Sequence, residues 1–262
     1  MRVLLSEWTK LRTTKTFWLT TFLFFFFAIG WAILMAKTAT IPEPDPNIPP
    51  ELQKEMMGPP LGPGTFTAIV WMLGLPVLMV QAIMMVTTEY SHRTQSISMA
   101  ATPVRWKVAL AKILLFAAIA ALFTFVAILG SFLLGDALAK PEVAELFDPF
   151  DDNGKRSLWV YPMATALIVV FAQGMGWLLR QTAAAITLSL ILYLGIDGML
   201  GMTPKVGDKI INFAPFSSLN NFIMNSAPEE AMWGVMGNLW VFVAWAFGLW
   251  ILGVILLEKR DV

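Results

Sequence analysis

The sequence has no cysteine and a single histidine, His92. Without cysteine there can be no disulfide framework, thiolate metal site or cysteine nucleophile. Membrane metalloproteases place two histidines on one helix, so a lone histidine excludes that arrangement. Charge is scarce as well. Asp, Glu, Lys and Arg make up 14% of the chain, where a soluble domain carries about 25%. The one Gly-Lys pair, Gly154-Lys155, lacks the upstream glycine and the following Ser or Thr of a nucleotide-binding loop. Glu229 and Glu230 have no histidine to complete a hydrolytic site, and no Ser or Thr can be assigned a base. No catalytic or metal-ligating residue is therefore expected, no directly bound cofactor and no nucleic-acid partner.

What fills the chain instead is apolar. Hydrophobic residues account for 57%, with eleven Trp and nineteen Phe. Six stretches are long enough to cross a hydrocarbon core of roughly 30 Å, which takes about 20 helical residues. They are Phe17–Ala36, Phe66–Thr88, Ile113–Gly135, Leu158–Leu179, Thr182–Ile196 and Met232–Leu257. None holds a Lys, Arg, Asp or Glu, each of which costs roughly 2.5–3.5 kcal/mol at mid-membrane. The fifth is short and is expected to extend toward Met202, with Asp197 near the outer interface. The first stretch is too long for a signal-peptide core and lacks a small-x-small cleavage site, so no cleavable signal is expected. The fold class is an all-α membrane protein with six transmembrane helices in one domain covering residues 1–262.

Charge in the connecting segments sets an orientation. Eleven Lys and Arg fall on the side that holds both termini and seven on the other. The excess marks the cytoplasmic side, so both termini are expected inside.

The connecting segments carry further expectations. In Met1–Thr16, Leu4, Leu5, Trp8 and Leu11 cluster at helical spacing, which fits an interfacial amphipathic helix near anionic lipid or a basic flank that is merely helical. Thr40–Gly64 holds eight of the sixteen prolines and is expected to be extended. The acidic run Asp148–Gly154 fails calcium-loop spacing, because Phe150 occupies the third ligand position. The outer segment 198–231 is too polar to span and too apolar for a free loop, which suggests a re-entrant or interfacial helical hairpin. The longest inner segment, 89–112, is broken at Thr102-Pro103 and reads as a helical elbow able to receive force from a cytoplasmic partner.

Within the spans the polar residues are few: Gln81, Gln173, Ser131, Ser189 and Asn238, with Arg180 at the inner end of the fourth. No chain of carboxylates runs through the bilayer, which counts against an ion-driven carrier. Gln81 and Gln173 fit either hydrogen bonding between helices or the lining of a substrate path. Met79, Met84 and Met85 fit either an adaptable cavity wall, in which Met85 joins that path, or ordinary packing or lipid-facing positions. Ala244 and Gly248, four apart, would allow a close helix contact.

Two stretches resemble the permease subunits of type-2 ATP-binding-cassette (ABC) transporters. They are Ser6-Glu7-Trp8-Thr9-Lys10-Leu11-Arg12 and Glu89-Tyr90…His92-Arg93-Thr94…Ala101-Thr102-Pro103…Arg105…Lys112. The resemblance implies an amphipathic N-terminal elbow, a coupling helix between the second and third spans, and re-entrant helices before the last. It implies two cytoplasmic ABC ATPase subunits, which hold the ATP and Mg, and a second permease copy or a homologous permease. It assigns ATPase coupling to Glu89, Tyr90, His92, Arg93, Thr94, Pro103 and Arg105. The implied activity is export of an amphipathic or lipophilic substrate by alternating access, in a bacterial cell membrane. Gln95 departs from the glycine-containing turn common in related sequences, and the Pro-rich first outer loop is atypical. Two other readings compete: a membrane anchor for a cytoplasmic ATPase complex, and an intramembrane enzyme, which the missing residue constellations disfavour.

Overall fold

Every regular element among the described residues is helical. The computed structural model describes residues 2–41, 60–91, 105–199, 201, 203, 207–226 and 233–259. The order is α1 (Arg2–Thr13), α2 (Lys15–Thr38), α3, α4 (Arg105–Leu138), α5 (Pro141–Ala144), α6 (Asp152–Leu179), α7 (Thr182–Ile191), α8 (Gly207–Ile211), α9 (Pro215–Ile223) and α10 (Val235–Lys259). Helix α3 is built from Pro63–Ile69, a π-helical turn Val70–Gly74 and Leu75–Ser91, and α7 runs on into a second π-helical turn, Leu192–Ile196, followed by a short helical turn, Asp197–Met199.

Helix α2 explains why the chain belongs in lipid. Its buried stripe is Phe17, Thr20, Phe24, Ala28, Ala32 and Ala36. Its exposed face carries Trp18, Leu19, Phe22, Phe26 and Leu34. A helix apolar all round is stable in hydrocarbon and not in water. What separates its two faces is size, since three alanines let neighbouring backbones approach. Helices α2, α3, α4, α6 and α10 are each long and apolar enough to cross a membrane.

The fifth predicted span is different. Its apolar helix, Thr182–Gly195, is about 21 Å long at 1.5 Å per residue, against a core of roughly 30 Å. Gly195 has φ 101°, a left-handed value that interrupts the helix just before Asp197. The count of six thus rests on an element that is short and kinked.

Helix α6 is the central member, packed by α10, α4 and α3. Its crossing with α10 is made by Gly174 and Gly253. A Cβ on Gly174 would lie 2.7 Å from the Trp250 backbone nitrogen, and one on Gly253 would lie 2.6 Å from the Trp177 Cβ. The close contact that Ala244 and Gly248 would allow is not made at Gly248, because that glycine faces open space. Spacing alone cannot say which face of an all-apolar helix meets its neighbour. Polar pairs fix the remaining contacts: Thr124 and Thr165 hydroxyls lie 3.0 Å apart across α4 and α6.

Helix α9 lays Phe216, Leu219, Phe222 and Ile223 onto the bundle. The Phe216 ring meets Phe171, Tyr193 and Phe242 at 5.0, 5.3 and 5.4 Å. Arg156, near the start of α6, donates to the Phe222 carbonyl at 2.6 Å and covers the Trp159 and Phe222 rings. The described part of the 198–231 segment is therefore helical and packed by its aromatic face, as expected of a chain too apolar for a free loop. In the acidic turn, Asp151 caps α6 by accepting from the Gly154 amide at 2.6 Å, and Asp148 accepts from Phe150 at 2.9 Å. Most of the Pro-rich loop, 42–59, lies outside the described residues, as do Glu229 and Glu230; Pro63 opens α3 at its first turn.

The two π-helical turns face each other for a reason written in the chain. In the α3 turn the Leu75 amide reaches back five residues to the Val70 carbonyl. On that pattern the Trp71 carbonyl would need an N–H from residue 76, which is a proline. The Tyr193 hydroxyl supplies the missing donor, and the Trp71 and Tyr193 rings meet at a tilt of 37° with centroids 5.0 Å apart. Tyr193→Phe should therefore strand a part-buried carbonyl, at a cost of about 1–3 kcal/mol, read as a lower melting temperature in detergent. Adding Pro76→Ala should recover part of the loss, because the new amide can take over the bond. An unchanged melting temperature in Tyr193→Phe would show that the hydroxyl does not matter.

Candidate functional site: a buried ion cluster beside a cavity

Four charged side chains converge at the end of the bundle that carries α1. Glu7 and Lys10 come from α1, three residues apart and so on one face. Glu89 comes from the last turn of α3, and Lys112 from the second turn of α4. The Lys112 ammonium lies 2.5 Å from Glu7 Oε2 and 2.8 Å from Glu89 Oε1, and donates to the Met85 carbonyl at 3.3 Å. Lys10 Nζ lies 2.8 Å from Glu7 Oε1 and 3.0 Å from Glu89 Oε1. Two ammoniums thus meet two carboxylates, and the set is neutral.

Burial separates the members. Lys112 is 1% exposed and Glu7 3%, whereas the Lys10 side chain is 40% exposed. An unpaired ion at the Lys112 position would lose several kcal/mol of solvation, so its two carboxylates are required. Burial alone pulls the Lys10 pKa down, but its bond to Glu7 and the nearby charges of Glu89 and Glu7 outweigh that and leave it raised. The cluster also corrects the picture of α1. The helix is amphipathic as expected, yet Leu4, Leu5 and Trp8 point outward, and Glu7 with Leu11 faces the bundle.

Beside the cluster lies a cavity of about 380 Å³, lined by the four charged residues with Leu11, Thr14, Thr16, Gln81, Met84, Met85 and Thr88. Gln81, buried, accepts from Thr20 at 3.1 Å. It stands eight residues from Glu89, about 12 Å along the helix, so the cavity has a charged end and an amide end with thioethers between. Of the three residues expected on a substrate path, Gln81 and Met85 line this space. Gln173 does not: fully buried on α6, it donates to the Lys112 carbonyl at 3.4 Å and joins helix to helix.

The residues expected to couple to an ATPase divide similarly. Glu89 belongs to the ion cluster. The Tyr90 ring meets Trp177 edge-on at 6.1 Å and carries the Arg180 guanidinium at 5.0 Å. Arg105 donates to the Leu257 carbonyl at 3.1 Å and Arg180 to Leu256 at 3.3 Å. Both guanidiniums therefore sit on last-turn carbonyls of α10, where unpaired acceptors and the helix dipole favour a cation. His92, Arg93, Thr94 and Pro103 lie outside the described residues. Glu7, Lys10 and Lys112 were missed as members of a site. One signal was there: Lys112 interrupts the run Val-Ala-Leu-Ala-Lys-Ile-Leu-Leu-Phe, a setting in which a lysine needs a carboxylate close by.

Compared with known proteins, residues 3–196 match the family of ABC-2 family transporter proteins. No curated protein matches the chain. The matched span contains all four cluster residues and stops before α8, α9 and α10.

Two measurements test the cluster. Lys112→Met should destabilise the protein by about 3–5 kcal/mol, because it leaves two largely buried carboxylates to share the one part-exposed ammonium of Lys10. The double variant Glu7→Gln, Lys112→Met should lose less than the two single changes summed, since neighbours in one network are not additive. Additive losses in thermal or denaturant unfolding would rule the network out. The sign of the pH dependence follows from Lys10. A folded pKa above the unfolded one means its stabilisation is complete below the ordinary lysine value of about 10.4 and fades only as pH rises through the higher folded value. Trp8 fluorescence should therefore report α1 docked without change from neutral pH to about pH 10, and less firmly held only above that, as the Lys10 contribution is lost.

Proposed function

The chain belongs to the ABC-2 family of transporter proteins, a multi-pass membrane family, and from that membership we propose that it is the permease subunit of an ATP-driven ABC exporter. ATP and Mg bind a separate cytoplasmic subunit, of which two copies serve a pair of permeases, this chain with a second copy or a homologous one. The cargo is amphipathic or lipophilic, in keeping with spans that hold no charged residue away from their ends. The host membrane is a bacterial cell membrane, and both termini face the cytoplasm.

The observation that carries this reading is how the residues on either side of 92–104 are held. Lys112, just after that segment, is bonded both to Glu89 just before it and to Glu7 of α1. Tyr90 on one side and Arg105 on the other lead to Trp177, Arg180 and the end of α10. A push on the segment between them would reach α1, α3, α4, α6 and α10 together, as alternating access driven from the cytoplasm requires. Coupling is assigned to Glu89, Tyr90, His92, Arg93, Thr94, Pro103 and Arg105, with Glu89 acting through the ion cluster.

Purification from the native membrane should bring down a cytosolic ATPase. In proteoliposomes with that ATPase, Arg93→Glu should leave ATP hydrolysis running while transport of a lipophilic fluorescent substrate falls at least tenfold, a loss of about 1.4 kcal/mol of coupling. Arg93 is the better probe than Glu89, because reversing Glu89 would also break the cluster. Recruitment of the ATPase with no substrate moved across a broad panel would favour the membrane-anchor reading instead.

A further inference from the structure

We propose that the cavity beside α1 binds an organic monocation whose ammonium takes the place of Lys10 between Glu7 and Glu89. The four cluster residues are not equivalent. Lys112 is closed in by protein, but the Lys10 side chain is 40% exposed and stands among the cavity-lining residues. Its ammonium occupies a position defined by two carboxylate oxygens, Glu7 Oε1 at 2.8 Å and Glu89 Oε1 at 3.0 Å. Remove that ammonium and Glu7, Glu89 and Lys112 carry a net charge of −1, on carboxylate side chains only 3% and 12% exposed. One added positive charge restores neutrality, whereas an anion would make the imbalance worse.

The rest of the cavity suits what such an ammonium would carry. Leu11, Met84 and Met85 offer apolar and polarisable walls that adapt to a tail of irregular shape. The volume of about 380 Å³ falls within the roughly 300–1,000 Å³ typical of small-molecule sites. Lys10 is then a tethered counter-ion that fills the cation position when the cavity is empty. Its displacement leaves Lys112 as the remaining ion pair within the protein between α1 and the bundle, and the bound ammonium bridges Glu7 of α1 to Glu89 of α3 in its stead. As a cargo site the cavity rests on the transport reading above, but binding itself needs neither ATPase nor transport.

The test uses the full chain in lipid nanodiscs with dansylcadaverine, a primary ammonium joined by an alkyl chain to an aromatic fluorophore. The N-acetylated form of the same molecule is the uncharged control. Wild type should bind the amine and not the acetylated form. Lys10→Met should bind the amine at least tenfold more tightly, since no tethered cation competes, and Lys10→Arg should behave as wild type. Adding Glu89→Gln to Lys10→Met should abolish the gain. The proposal is overturned if Lys10→Met binds no more tightly than wild type, or if the acetylated control binds as well as the amine. A chain that shows this pattern yet moves no substrate under ATP keeps the site and loses the transport reading.

Discussion

A lysine ammonium taken out of water must be answered by carboxylate, and Lys112 is answered twice, by Glu7 and by Glu89. The position of α1 depends on that answer. A helix of 12 residues is marginal alone, and its exposed Leu5 and Trp8 gain as much from lipid as they would from protein. Apolar burial cannot hold such a helix against a membrane bundle, because hydrocarbon offers the same environment on every side. A charge pair can, since neither partner has an equal alternative nearby. The ion cluster is therefore what makes α1 part of the bundle instead of a helix adrift at its edge.

The same reasoning runs through the other contacts. Trp71 and Tyr193 join α3 to the turn after α7 because a proline removed one donor and a hydroxyl replaced it. Gln173 ties α6 to α4 through the Lys112 carbonyl. Arg105 and Arg180 hold the end of α10, and Arg156 holds the end of α9. Where no polar tie exists, close approach substitutes for it, as at Gly174 and Gly253. In a solvent as apolar as the side chains, geometry is specified by the few groups that lipid cannot satisfy.

That is also why the sequence could be read for some features and not for others. Spans announce themselves by length and lack of charge, and α2, α3, α4, α6 and α10 fall where that rule put them. Faces do not, because a lipid-facing Phe22 and a buried Phe24 look alike in sequence. Gly248 was an equally plausible contact point to Gly253, and only the rotation of α10 decided between them. The fifth span was readable as short, but not as interrupted at Gly195. Glu7 and Lys112 stand 105 residues apart, so each could be seen as an isolated charge near an apolar run and neither could name the other. Gln81 and Gln173 looked the same on paper. One faces a cavity and the other an interface, a difference that belongs to helix rotation alone.

The two ends of the bundle are held by different physics, and this bears on where it can change shape. Away from α1, the contacts among Phe171, Tyr193, Phe216 and Phe242 are dry and aromatic. Separating such rings opens a void or admits lipid, and the cost grows with each ångström. At the α1 end the ties are ionic, and each carboxylate already bonds both ammoniums. Ions of that kind can exchange partners in small steps without a stage at which any is left bare, provided one of them reaches water, as Lys10 does. Closely packed surfaces favour discrete arrangements, whereas a shared ion network lowers the barrier between them. The end that can rearrange cheaply is thus the end that carries α1 and flanks residues 92–104.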